Sequence, residues 1–297
     1  MEREPNSPEY ACDPGCGAQP CDQAWLTDED DSDLPSDEWV DEMGRYVTKP
    51  IDWRTVFIDV CTQQDYLGTN AILQVTGREQ LVANLKQTFS WVRKSRAAVV
   101  SILESHRPTE PIHGTPLHCI DGTVGQRKPG FTLLKPRILI EADNTFSLPH
   151  DLGKKYRQLM FRKRTRDILS NHKADRLLTQ LEVDEFIILG VGLERAIRGL
   201  ALGLLSRHKK VTVVSDACGF WSKGDADLVL RQLAAKGIRL ITTAELLERP
   251  TSPVRRYQPT IRRANKPTSP PRASRTAGHR STGKTSSKSP SHQTPRP

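Results

Sequence analysis

The chain has 297 residues, with 44 Lys/Arg against 35 Asp/Glu, a formal charge of +9 and 36% hydrophobic residues. The charge falls into three blocks: residues 1–46 hold 14 acidic residues against Arg3 and Arg45, residues 47–248 a net +9, and residues 249–297 twelve basic residues and no acid. A uniformly charged body is therefore excluded, and no apolar run approaches the ~18 residues that a membrane-spanning helix needs.

These blocks predict one globular domain, residues 47–248, between two charged tails. The acidic segment 1–46 and the basic Pro/Ser/Arg-rich segment 249–297 have too little apolar material to offset the cost of ordering their backbones, so both are expected to be disordered. Cys12, Cys16 and Cys21 have no nearby histidine to complete a zinc knuckle and are expected to be unpaired thiols. With no basic-then-apolar leader at the N-terminus, a soluble cytoplasmic protein is expected. The basic tail would neutralise phosphates without reading sequence, giving weak, non-specific nucleic-acid binding.

In chain order, Thr55–Val60 is the first apolar strand, and Thr76-Gly-Arg-Glu79 fits a capping box before a helix with Leu81, Leu85, Phe89 and Val92 at helical spacing. Ala97–Ile102 is the second strand. A long Pro- and Gly-bearing stretch runs from His106 to about Pro136, and Ile138–Glu141 fits a short extra strand. Leu159–Lys163 is the third main strand, with a helix over Asn171–Leu181. Phe186–Gly190 is the fourth, with a glycine turn and a helix carrying Ala196, Ile197, Leu200, Ala201 and Leu204. Val211–Ser215 follows, then a helix from Asp225 stopped at Gly237, then Ile238–Thr242 and a last helix from Thr243. Alternating strands and helices predict an α/β fold, a parallel sheet of about six strands in a three-layer α/β/α sandwich. Right-handed crossovers place all the strand C-termini on one edge, so Asp59, Lys163 and the turn before Ala196 can meet there.

Five segments in this order resemble the isochorismatase-like cysteine hydrolases over roughly residues 54–248. They are Val56-Phe-Ile-Asp59 with Asp65-Tyr-Leu, Phe161-Arg-Lys163, Gly190-Val-Gly-Leu-Glu-Arg-Ala196, Val213-Val-Ser-Asp216-Ala217, and Pro116-Leu-His118-Cys119 with Gly122-Thr-Val-Gly125. The last is similar to a loop of the nicotinamidase branch. The resemblance implies a Rossmann-like fold, a small-molecule ligand, a homo-oligomer and a site built from Asp59 and Lys163. It also implies that Gly192, Ala196 and His118 line the ligand pocket, with Ala196 where those hydrolases carry their nucleophilic cysteine. Cys61, Cys119 and Cys218 are read as buried or loop thiols. The metal pattern of nicotinamidases has Glu104-Ser-His106 as its nearest counterpart, with the next histidine at His113. No cofactor or metal is expected, and Glu104 with His106 is read as a hydrogen-bonded polar pair.

Three functions follow. The first is a pseudoenzyme, or a pocket reassigned to a small anion, because a methyl group cannot attack a carbonyl. The alternative is a thiol-independent hydrolase of the isochorismatase type, cleaving a vinyl ether with Asp59 as acid beside Lys163. The third is polyanion or nucleic-acid binding through residues 249–297. Cysteine-dependent amide hydrolysis is not expected.

Overall fold

The structure is a computed structural model that describes residues 51–110, 114–141, 147–149, 151–165 and 167–250, together with the backbone of two short strands before them. Those strands, β1 (Glu38–Val40) and β2 (Tyr46–Thr48), pair antiparallel. The expectations for the rest of the tails, including Cys12, Cys16, Cys21 and the nucleic-acid contact, lie outside the described residues.

The main sheet has seven parallel strands: β3 (Asp52–Val60), β4 (Ala97–Glu104), β5 (Arg137–Ile140), β6 (Gln158–Lys163), β7 (Glu185–Val191), β8 (Val211–Gly219) and β9 (Arg239–Ile241). Their order is β5-β6-β4-β3-β7-β8-β9. The edge strand β5 makes the count seven rather than about six, within the expected fold class. The interior strands are buried along nearly their whole length (Phe57, Ile58, Val99, Val100, Leu159, Phe161, Ile187 and Ile188) because helices cover both faces. The chain moves from β3 first towards β4 and later, from the same centre, towards β7. That reversal opens a crevice beyond the C-terminal end of β3.

Among the described residues the helices are α1 (Gln64–Leu67), α2 (Arg78–Ser95), α3 (Leu152–Lys155), α4 (His172–Gln180), α5 (Arg198–Ser206) and α6 (Lys223–Ala235) between the strands, and α7 (Thr243–Leu247) after the last one. Leu81, Leu85, Phe89 and Val92 form the buried stripe of α2. The capping box expected at its start does not form. Gly77, at φ 66°, is the N-cap, and the Thr76 hydroxyl instead donates to the Trp221 carbonyl at 2.9 Å. A capping box does open α7, between Thr242 and Glu245. At the other end of α2 the buried Arg157 guanidinium donates to the carbonyls of Val92 and Arg93, which also accept the Ser95 hydroxyl and the Arg96 N–H, so the last-turn carbonyls are satisfied.

Asp59 sits inside the sheet, fully buried. Its cross-strand neighbour Ser101 donates to Oδ2 at 2.9 Å, Thr62 donates to Oδ1 at 2.7 Å, and Lys128 Nζ, equally buried, lies 2.5 Å from Oδ2. A buried ion pair contributes little net stability, whereas removing one partner strands the other charge in a medium that cannot solvate it. We expect Asp59→Ala to lower the unfolding free energy by about 3–5 kcal/mol in urea titrations of the full chain. The apolar double replacement Asp59→Leu with Lys128→Met should lose much less. Equal losses for the single and the double variant would refute a structural ion pair.

Candidate active site at the strand ends

A cavity of about 770 Å³ opens at the C-terminal edge of the sheet, lined by residues from the ends of β4, β6 and β7 and by Cys61 just past β3. Lys163, Gly192, Ala196 and His118, four of the five residues singled out from sequence, lie on its wall. Asp59 does not, and its ion pair is with Lys128 rather than Lys163. β3 runs on past Asp59, and the chain then turns with Cys61 at φ 51°, so the side chain reaching the cavity at this strand end is Cys61.

Lys163 finds its carboxylate elsewhere. Glu104 and Lys163 end adjacent strands and are register partners, and Lys163 Nζ lies 2.9 Å from Glu104 Oε2. The same oxygen accepts the Tyr66 hydroxyl at 2.8 Å and faces the Cys61 thiol at 3.7 Å. The Gln63 amide clamps the Glu104 backbone from both sides, receiving its N–H at 2.7 Å and donating to its carbonyl at 2.9 Å.

The other oxygen, Oε1, points at two imidazoles. His106 Nε2 is 3.2 Å away and His118 Nε2 3.8 Å. His118 arrives on a loop that folds back over the sheet end. His106 and Ile120 form a parallel bridge, the His106 N–H donates to the Cys119 carbonyl, and the Cys119 N–H donates to Asp65 at 2.6 Å. Asp121 pins the next turn by accepting from Arg164 at 2.8 Å and from Ser105. His118 Nδ1 lies 2.8 Å from the Pro116 carbonyl, which can only accept, so Nδ1 carries the proton and Nε2 faces Glu104. One carboxylate oxygen and two imidazole nitrogens within 4.8 Å of one another suit a divalent ion of the zinc class, with the cavity on the open side. Glu104 and His106 were recognised as a pair in the sequence, but His118 was not joined to them. The bridge that brings it in across twelve residues has no local signature beyond Pro116-x-His118 itself.

The charges follow from burial and neighbours. Burial opposes ionisation of Glu104, but the Lys163 ammonium and the hydrogen bonds from His106 and Lys163, with the His118 imidazole close by, outweigh it and hold its carboxyl far below the ordinary range. Burial likewise opposes the Lys163 charge, yet Cys61 and Glu104 beside it keep the lysine above its ordinary value. Burial pushes the Cys61 thiol up to about 12, only partly countered by Lys163. It raises Cys119 and Cys218 as well. All three thiols are therefore protonated near neutral pH.

The opposite wall is the turn after β7. Gly190 is required there because a Cβ would lie 2.1 Å from the Val60 carbonyl oxygen, and Gly192 has a left-handed φ of 90°. The Gly192 carbonyl accepts from Arg195 and Ile197, winding residues 193–197 into one wide turn with Ala196 on the cavity. Glu194 does not pair with Arg195. Its Oε1 accepts the backbone N–H groups of Trp221 (2.7 Å) and Ser222 (3.0 Å), holding Trp221 against Tyr66 at 5.9 Å between ring centroids. Tyr66 also meets His118 edge-on at 5.6 Å, so the cavity has an aromatic side that sequence alone did not reveal.

Among the described residues no helix is long and apolar enough to cross a membrane. An isochorismatase-like hydrolase from Alkaliphilus metalliredigens has a similar structure, with a TM-score of 0.51 at 20% identity over 66% of this chain and 98% of that one. An isochorismatase family protein from Desulfovibrio vulgaris gives 0.51 at 19% over 66% and 97%. A pyrazinamidase/nicotinamidase from Streptococcus mutans gives 0.50 at 16% over 63% and 99%. Identities this low show the fold alone. No curated protein matches the chain. The isochorismatase domain, however, matches residues 51–245, most of the chain, and on that ground the protein belongs to the isochorismatase family.

Proposed function

We propose that this protein is an isochorismatase-family member that binds a small molecule without using a cysteine nucleophile, a pseudoenzyme or a reassigned pocket with respect to thiol-dependent amide hydrolysis. The observation that carries this is the methyl group of Ala196 on the cavity wall, in a turn whose sequence resembles the one that bears the nucleophilic cysteine of the thiol-dependent hydrolases. An acyl-enzyme needs a thiolate at that turn. The cysteine that lines the cavity, Cys61, is held protonated. The alternative with Asp59 as acid gains no support from its position, since Asp59 is sealed beneath the site and bound to Lys128.

The ligand we favour carries a carboxylate or carbonyl oxygen and a flat apolar body. Tyr66, His118 and Trp221 offer an aromatic surface, and Lys163 with the imidazoles offers positive or donor groups to oxygen. Glu104, His106 and His118 would hold a divalent ion, which when bound supplies a Lewis acid for a ligand oxygen or water. Lys163 and Tyr66 orient Glu104 through Oε2 and leave Oε1 turned to the histidines.

Equilibrium dialysis against Zn²⁺ should give about one equivalent bound to the full chain, with affinity falling at least ~10-fold in Glu104→Gln and His118→Ala. Primary aromatic amides should not be turned over by the wild type. Turnover that disappears in Cys61→Ser would overturn the proposal.

Iodoacetamide at pH 7.5, read by mass spectrometry, should leave Cys61 of the native protein unlabelled. In Ala196→Cys the new thiol, at a half-buried turn on the cavity wall, should label readily. An inert Cys at that position would mean that the turn is not a nucleophile site.

A further inference from the structure

We infer that Glu110 is the positioning carboxylate of His106, the group that accepts a hydrogen bond from His106 Nδ1–H when Nε2 is given to a divalent ion. The inference rests on the metal-holding arrangement of Glu104, His106 and His118 proposed above, and it concerns how that arrangement is kept in order.

The two histidines are treated differently by their surroundings. His118 has its Nδ1 proton fixed by the Pro116 carbonyl, so its Nε2 lone pair is already turned inward. His106 has no such backbone partner. Its side chain is only 9% exposed, its Nε2 meets Glu104 Oε1, and its Nδ1 is buried without a hydrogen-bond partner. A buried ring nitrogen left in this state costs free energy, so it calls for an explanation. Glu110 Oε2 lies 4.0 Å from this nitrogen. Glu110 is placed there by a tight turn: its N–H donates to the Arg107 carbonyl, and its Oε2 accepts the Arg107 N–H at 3.0 Å.

The chemistry of a neutral imidazole links these facts. It carries one proton, on one nitrogen or the other. Without an ion, the contact between His106 Nε2 and Glu104 is a hydrogen bond donated by Nε2, which leaves Nδ1 as a bare acceptor. A bare acceptor is repelled by a carboxylate oxygen, and a separation of 4.0 Å fits that. A metal ion takes the lone pair of Nε2, so the proton must then reside on Nδ1. Nδ1 becomes a donor facing Glu110, and the repulsion turns into a charge-assisted hydrogen bond. Glu110 thus favours the tautomer that can bind an ion, and it does so from outside the ligand set. Its own remaining acceptor capacity is ample, since a carboxylate has about four lone-pair sites and one is used by Arg107.

The test is Zn²⁺ affinity of the full chain, measured by competition with a chromogenic chelator, together with ¹⁵N-detected NMR of the His106 ring. Glu110→Ala should weaken Zn²⁺ binding about 10-fold or more. Glu110→Gln, which keeps an acceptor but not the charge, should fall between Ala and wild type. In Zn²⁺-loaded wild type the His106 Nδ1–H should be visible and shifted downfield, and Glu110→Ala should lose that shift. A purely structural role would not move the ring signal. Zn²⁺ affinity within twofold of wild type in both variants, or an unchanged Nδ1–H signal, would overturn the inference while leaving the metal-holding arrangement intact. Failure of the wild type itself to bind Zn²⁺ would overturn both. Should Glu110→Ala misfold by circular dichroism, the isosteric Glu110→Gln variant decides alone.

Discussion

The ionised carboxylate of Glu104, mostly buried at the end of β4, is the constraint around which the site is arranged. Such a group persists only if its lone pairs are met by donors or cations. Lys163 and Tyr66 satisfy one oxygen, His106 and His118 face the other, and Gln63 fixes the backbone that carries it. The need to compensate one charge thus draws together strand ends, helix α1 and a loop that are far apart in sequence. Loss of Lys163 would leave that charge uncompensated, while loss of a histidine would open the other side to water.

A second buried pair, Asp59 with Lys128, lies deeper in the same sheet and is closed on itself by Ser101 and Thr62. The two pairs divide the work of the strand ends. The deeper one ties the loop bearing Lys128 to the sheet, and the upper one faces the cavity. Each lysine has its own carboxylate, so neither is available to the other's partner.

Periodicity and β-branched runs locate the sheet because burial of both strand faces is a local, repeating requirement visible in the residues themselves. Lys163, Gly192 and Ala196 were legible for a related reason: strand termini in a parallel sheet share one edge. Asp59 was placed at the rim although the strand ends at Val60 as its residues suggest, because the side chain is claimed from below by Ser101, Thr62 and Lys128 while Cys61, just past the strand, reaches the cavity, and those partners are tertiary contacts with no local pattern. His118 was assigned to the pocket but not to Glu104, since the bridge between His106 and Ile120 is a tertiary contact. The Thr76 capping box failed on similar grounds, its hydroxyl being claimed by the Trp221 carbonyl.

Glu194 carries a consequence for how the pocket can vary. One oxygen of its carboxylate holds the backbone of Trp221 and Ser222, and its own backbone belongs to the turn that presents Ala196. The aromatic wall and the turn opposite Lys163 are therefore a single mechanical unit. Substitutions at Glu194, Ala196 and Trp221 should combine non-additively, because each changes the setting in which the others act. Ligand selectivity on this side of the cavity is a joint property of three positions and cannot be assigned to any one of them.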